Sequence, residues 1–149
     1  MRAIVQRVKS ASVEVSGETI GSIEKGLLVF LAVKNEDTDK DLDYIIDKVC
    51  GLRIFTDDND KMNLSVKDVG GQILLVSQFT LYGDVRKGKR PSFTDSAKGD
   101  LAERYYEKAI AAFKNEIDVV ETGRFGADMQ VSLINDGPVT IQLDSSKIY

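Results

Sequence analysis

Apolar and polar positions alternate through most of the first thirty residues. The stretch "RAIVQRVKSASVEVSGETIGSIEKGLLVFLAV", residues 2–33, reads as β-structure. "SVEV" and "TIGSI" keep a period of two on either side of "SGE", the pattern of a hairpin with glycine in its turn. "GLLVFLAV" lacks polar positions altogether, which predicts a strand covered on both faces. The period then switches. In "NEDTDKDLDYIIDKVCGLRIF", Leu42, Ile45, Ile46 and Val49 recur at steps of three and four, one face of an amphipathic helix. Acidic residues precede that face and Gly51 follows it, as suits the two ends of a helix.

"TDDNDKMNLSVKDVGGQ" is a polar connection. Its aspartates lack, in either register, the glycine and closing glutamate of a calcium-binding EF-hand loop, so a solvated hairpin or loop is expected. "QILLVSQFTLYGD" reads as a strand whose apolar run opens into polar Ser77, Gln78 and Thr80. "VRKGKRPSFTD" is a loop, and "SAKGDLAERYYEKAIAAF" a second helix with Leu101, Tyr105, Ala109, Ala112 and Phe113 on one stripe. "IDVVETG", "MQVSLIN" and "VTIQL" are further strands. Asp136-Gly137-Pro138 separates the last two and predicts a hairpin turn, since proline gives no N–H to a ladder and glycine weakens a strand interior. Nothing in the local residues selects the cis isomer there. No repeat, low-complexity tract or long linker divides the chain. The expectation is one α/β domain over residues 1–149, a compact barrel-like mixed or antiparallel sheet with two main helices.

Composition narrows the chemistry. The chain is 149 residues long, enough to bury a core of its own, and no apolar run approaches the roughly 18–20 residues that span a bilayer. The charged and apolar start resembles neither a signal nor a transit peptide. The single cysteine, Cys50, sits in the apolar run "YIIDKVCGL" and is expected as a buried thiol on a helix face; a reducing, cytoplasmic setting follows. Histidine is absent. Ser-His-Asp and Cys-His catalysis and His-ligated metal sites are therefore excluded, and nothing calls for a metal or another cofactor.

The net charge of −4 argues against broad nucleic-acid binding, yet Arg86, Lys87, Lys89 and Arg90 put four positive charges into five residues. With Phe93 and Tyr82 close by, that loop has charge for phosphates and ring faces for the bases of a single-stranded end; a plain solvated loop fits as well. Ser77, Gln78 and Thr80 either line a cleft with backbone N–H groups that hold an oxyanion or are simply solvated. "GRFGADMQV" lacks the spacing of a phosphate-cradling loop, and its Phe125 and Met129 either line a pocket or anchor the loop.

Taken together, "MRAIVQRVKSASVEV", "SQFTLYGD", "KGKRPSF", "FGADMQV" and "NDGPVT" resemble the D-aminoacyl-tRNA deacylases over essentially the whole chain. "SQFTL" followed about sixty residues later by "NDGPVT" is the specific part of the match. The resemblance implies a homodimer with active sites at the subunit interface. It implies hydrolysis of the ester joining a D-amino acid, or mischarged glycine, to the 3′-terminal adenosine of tRNA, with no membrane or DNA partner. It assigns Ser77, Gln78, Phe79 and Thr80 to the reacting centre, with backbone groups around Gln78 and Phe79 holding the adenosine and the oxyanion. A cis Gly137-Pro138, flanked by Asn135 and Thr140 and braced by Arg7, would enter the partner's site and reject L-residues. Phe125 and Met129 would line the substrate pocket, and Arg86, Lys87, Lys89, Arg90 and Phe93 would meet the tRNA end. Two mechanisms fit these residues: a covalent Thr80, or hydrolysis assisted by the tRNA 2′-OH, which the missing histidine favours. From the residues alone, a non-catalytic RNA-binding protein and a small-molecule esterase remain as rivals.

Overall fold

A computed structural model describes all 149 residues. In chain order its elements are β1 (Arg2–Val15), β2 (Glu18–Ile23), β3 (Gly26–Ala32), α1 (Asp39–Gly51), β4 (Phe55–Thr56), β5 (Met62–Leu64), β6 (Gln72–Ser77), a 3₁₀ turn (Phe79–Tyr82), α2 (Gly99–Glu116), β7 (Val120–Thr122) and β8 (Gln130–Asp144). β1 organises the sheet because it is long enough for three neighbours. Along one edge its first half pairs antiparallel with β3 and its second half with β2. Along the other edge it pairs with β8 from Arg2 to Glu14. The hairpin between β1 and β2 turns at Ser16 and Gly17, both at positive φ (52° and 78°), the geometry that matches strand twist in a two-residue turn.

Beyond β3 the sheet continues in parallel through β6 to β7. β7 then comes back against β2: a Cβ added to Gly21 would lie 2.5 Å from the Thr122 carbonyl oxygen, so only glycine permits that approach. The result is a mixed, nearly closed barrel. Successive side chains of β3 point to opposite faces. Leu28 joins Val8, Val13, Leu74 and Val76 inside the barrel, whereas Leu27, Val29 and Leu31 join Leu42, Ile45, Val49, Ala109 and Phe113 under the helices. Both faces of β3 are covered, as its unbroken apolar run predicts. Each leucine buried in this way stabilises the fold by about 1.5–3 kcal/mol.

α1 buries Leu42, Ile45, Val49 and Cys50, and the polar connection after it forms the small β4–β5 hairpin. The Cys50 thiol has no disulfide partner, and burial, with the Glu116 charge adding to it, pushes its pKa up to about 11. No helix is long and apolar enough to cross a membrane.

Three local expectations are corrected. The buried stripe of α2 is Ala102, Tyr105, Tyr106, Ala109 and Phe113, with Leu101 and Ala112 only half-buried at its margins. Tyr106 takes the inner position because its hydroxyl reaches the sheet and donates to the Leu75 carbonyl at 2.9 Å. The strand expected through "SQFTLYGD" stops at Ser77, opposite Leu31 on the last rung it shares with β3, and the chain turns away where no neighbour remains. Finally, "NDGPVT" is no hairpin. The segments on both sides of it pair with the same strand, β1, in the same direction.

Candidate active site

Where β6 leaves the sheet, the Gln78 N–H donates to the Leu31 carbonyl at 2.8 Å. That donor is therefore used by the fold. Phe79 and Thr80 open the 3₁₀ turn, and the first N–H groups of a helical turn have no partner within it. Among the backbone groups expected to act around Gln78 and Phe79, the Gln78 N–H is occupied, whereas those of Phe79 and Thr80 have no backbone partner. The Gln78 side-chain amide donates to the Thr80 hydroxyl, and no carboxylate or amine contacts that hydroxyl. Phe79 is 55% exposed and meets Phe93 edge-on, with ring centroids 5.1 Å apart.

Residues 77–79 form a wall between two clefts. One, about 350 Å³, is lined on its far side by Val33, Ala97, Lys98, Tyr106 and Phe125. The other, about 260 Å³, reaches Met129 and Val131. Phe125 lines the first cleft and Met129 the second, and each also packs against the core, so lining and anchoring go together. Gly123 makes room for Met129, whose sulfur would be 2.6 Å from a Cβ there. The only ionisable side chains lining these clefts are Lys98 and Tyr106. Burial pushes the Tyr106 hydroxyl up to about 12, so it stays protonated at neutral pH. No carboxylate lines either cleft.

The basic loop rises beside Phe93 from a pairing of Asp84 with Ser92. Arg86 is committed within it: its Nη2 lies 2.6 Å from Asp84 Oδ2, and hydrogen bonds from Arg86 hold the Asp84 carboxyl well below the usual carboxylate range. Lys87, Lys89 and Arg90 are exposed and enter no ion pair, so three of the four expected charges face solvent uncommitted.

The interruption of β8 is a large bulge. Asn135 sits opposite Val8 and Thr140 opposite Gln6, so four residues of β8 answer the single Arg7 of β1. The Gly137-Pro138 bond is cis, and Gly137 has φ +124°. Asn135 closes the base: its side-chain amide donates to the Arg7 and Val139 carbonyls, both at 3.0 Å, while Thr140 donates to its Oδ1 at 3.3 Å. Arg7 lies beneath, 9% exposed. Its Nε donates to the Asp136 carbonyl at 3.2 Å and its Nη1 to the Ile54 carbonyl at 2.6 Å. Gly137 and Pro138 are exposed at the crest and line neither cleft. The residues grouped here by the resemblance, Arg7, Asn135, Gly137, Pro138 and Thr140, do lie together, in a bulge rather than the hairpin that the local pattern predicts. The sequence pattern does not single out the cleft residues Tyr106 and Lys98, because the "RYYEK" pair and a lone lysine before a helix carry no distinguishing signal.

A nearly closed mixed barrel with two helices defines a fold class that other proteins share. A family model described as D-Tyr-tRNA(Tyr) deacylase matches residues 4–144. Proteins called D-aminoacyl-tRNA deacylase from Thermosipho africanus and Clostridioides difficile are 58% and 57% identical to the chain, each over all of both chains. A solved structure described as c-Myc DNA Unwinding Element Binding Protein superposes with a TM-score of 0.92 at 42% identity, covering 97% of this chain and 98% of that one. A second, described as a probable eukaryotic D-amino acid tRNA deacylase, has a TM-score of 0.82 at 19% identity and shows the shared fold. The chain belongs to the D-aminoacyl-tRNA deacylase family.

Proposed function

We propose that this chain, acting as one domain over residues 1–149, hydrolyses the ester between a D-amino acid, or mischarged glycine, and the 3′-terminal adenosine of tRNA. Family membership supports the reaction class. The observation that carries the reading is the wall at residues 77–79, with the Phe79 and Thr80 N–H groups free of backbone partners and no carboxylate in either cleft. An aminoacyl ester is already activated. Aimed donors for the developing oxyanion, with water positioned or activated by the tRNA's own 2′-OH, are then sufficient. A covalent Thr80 has less support, because its hydroxyl meets only an amide.

Chirality is read by backbone. The crest at Gly137 and Pro138 is exposed and braced from below, and it lines neither cleft of its own chain. That arrangement fits a gate inserted into a second copy's cleft, where an L-side chain collides with main chain and a D-side chain points away. A homodimer follows, with the long outer edge of β8 and its exposed Ile134 available to a second copy. Lys87, Lys89, Arg90 and the Phe79–Phe93 pair meet the single-stranded tRNA end. Duplex DNA is not expected to compete, because the uncommitted cations of this patch occupy one short loop.

The test is release of amino acid from D-tyrosyl-tRNA against L-tyrosyl-tRNA, expected fast for the first and near background for the second. Binding without turnover would make the chain an RNA-binding protein instead. Hydrolysis of simple aryl esters without RNA would make it a small-molecule esterase.

A further inference from the structure

Arg2 lies far from the clefts in sequence, yet its guanidinium grips the far end of the turn that walls them. Its Nε donates to Asp144 Oδ2 at 2.7 Å, and Arg2 and Asp144 also face each other on a rung between β1 and β8. Its Nη1 donates to the Leu81 carbonyl at 3.0 Å. Its guanidinium carbon sits 4.5 Å above the Tyr82 ring. Leu81 and Tyr82 are the last two residues of the 3₁₀ turn whose first two are Phe79 and Thr80.

We infer that Arg2 is a positioning residue for the deacylation site: it caps the turn Phe79–Tyr82 from its C-terminal end and so fixes the aim of the N–H groups at the other end. The physical grounds are three. A four-residue turn has too few internal hydrogen bonds to hold itself, since its last carbonyls have no partner within it. The Thr80 carbonyl is taken by the Gly83 N–H at 2.9 Å, and the Leu81 carbonyl by Arg2. Arg2 is itself locked, because Asp144 is 2% exposed and holds the Nε in place, while Tyr82 is 6% exposed and fills the guanidinium face. The anchor is the β1–β8 ladder, so the turn is tied to the most extensive strand pair in the sheet. A lysine cannot replace this grip, because one ammonium lacks the planar fork that serves Asp144 and Leu81 together.

The inference rests on the reading of Phe79 and Thr80 as the oxyanion donors. It is tested with the full chain and D-tyrosyl-tRNA, measuring kcat and KM separately, together with thermal unfolding and hydrogen exchange at residues 78–83. Arg2→Ala and Arg2→Lys are both expected to lower kcat, by on the order of tenfold to a hundredfold for Ala and less for Lys, with KM little changed. Exchange should rise at residues 78–83 while β6 stays protected. Unchanged kcat in both variants, or a raised KM with kcat intact, overturns the inference; so does loss of activity in Arg2→Lys that merely tracks global unfolding. If the wild-type chain releases no amino acid from D-tyrosyl-tRNA, the functional reading itself has failed. Faster exchange in the variants would then still show the grip on the turn without a role in deacylation.

Discussion

The turn at Phe79–Tyr82 and the bulge at residues 135–140 both break a strand, but the first ends its strand and the second rejoins it. At the turn the chain leaves β6 where β3 runs out, and Phe79, the first residue of the turn, lines both of the chain's own clefts. At the bulge, ladder pairing resumes on both sides, so the excursion stands on a continuous antiparallel base. The Asn135 side chain stitches that base, and the glycine and proline are left outside. The difference separates two tasks. On the function proposed above, the turn that ends its strand leaves donors open for chemistry, and the bulge that rejoins its strand presents rigid backbone to a second copy's cleft.

The largest effect is expected where the bulge has no room. A Cβ on Gly137 would lie 2.9 Å from Val139 Cγ2 and 3.0 Å from Arg7 Nη2, at a φ of +124° that side chains rarely adopt. Gly137→Ala should lower kcat/KM on D-tyrosyl-tRNA by on the order of a hundredfold, since a small misplacement in a site costs that much. The accompanying loss of stability should be about 1–3 kcal/mol by denaturant titration. Unchanged turnover of both D-tyrosyl- and glycyl-tRNA would remove the bulge from the site and break the contrast. An intermediate effect is expected at the basic loop. Replacing Lys87, Lys89 and Arg90 together by alanine should raise KM with little change in kcat, and should flatten the salt dependence of binding by about 2 log units per log unit of salt, at roughly 0.7 per lost phosphate contact. A salt slope equal to wild type would mean that the loop does not touch the tRNA. The smallest effect is expected at Thr80. Thr80→Ala should keep most of its turnover, whereas removing a true covalent nucleophile costs on the order of 10⁶-fold in kcat. tRNA ending in 2′-deoxyadenosine should be badly impaired with the wild-type chain. A dead Thr80→Ala that still binds tRNA would transfer the chemistry from the RNA to the turn.

Periodicity alone located β1, β3 and both helices, because burial on one face or two leaves a period that solvent cannot hide. Of the α2 stripe it located Tyr105, Ala109 and Phe113 but missed Ala102 and Tyr106. Hydropathy ranks tyrosine below leucine, whereas the structure ranks Tyr106 by what its hydroxyl can reach. The polar residues after β6 were visible as candidates, but which N–H groups stay open was not. That depends on β3 ending at Ala32, which leaves the Leu31 carbonyl to take the Gln78 N–H.

The residues themselves determined what chemistry was available: no histidine, one cysteine and a short run of four cations, together with a family signature split between "SQFTL" and "NDGPVT". Glycine and proline also made it certain that β8 would be interrupted. Tertiary structure alone decided that the interruption is a bulge, because that requires the segments before and after it to share one partner strand. It alone put Arg2 on the end of the turn, and it set Arg7 beneath the bulge, where the resemblance had implied a brace. These contacts join residues 79 and 129 positions apart, and no local pattern encodes a distance that only the closed sheet creates.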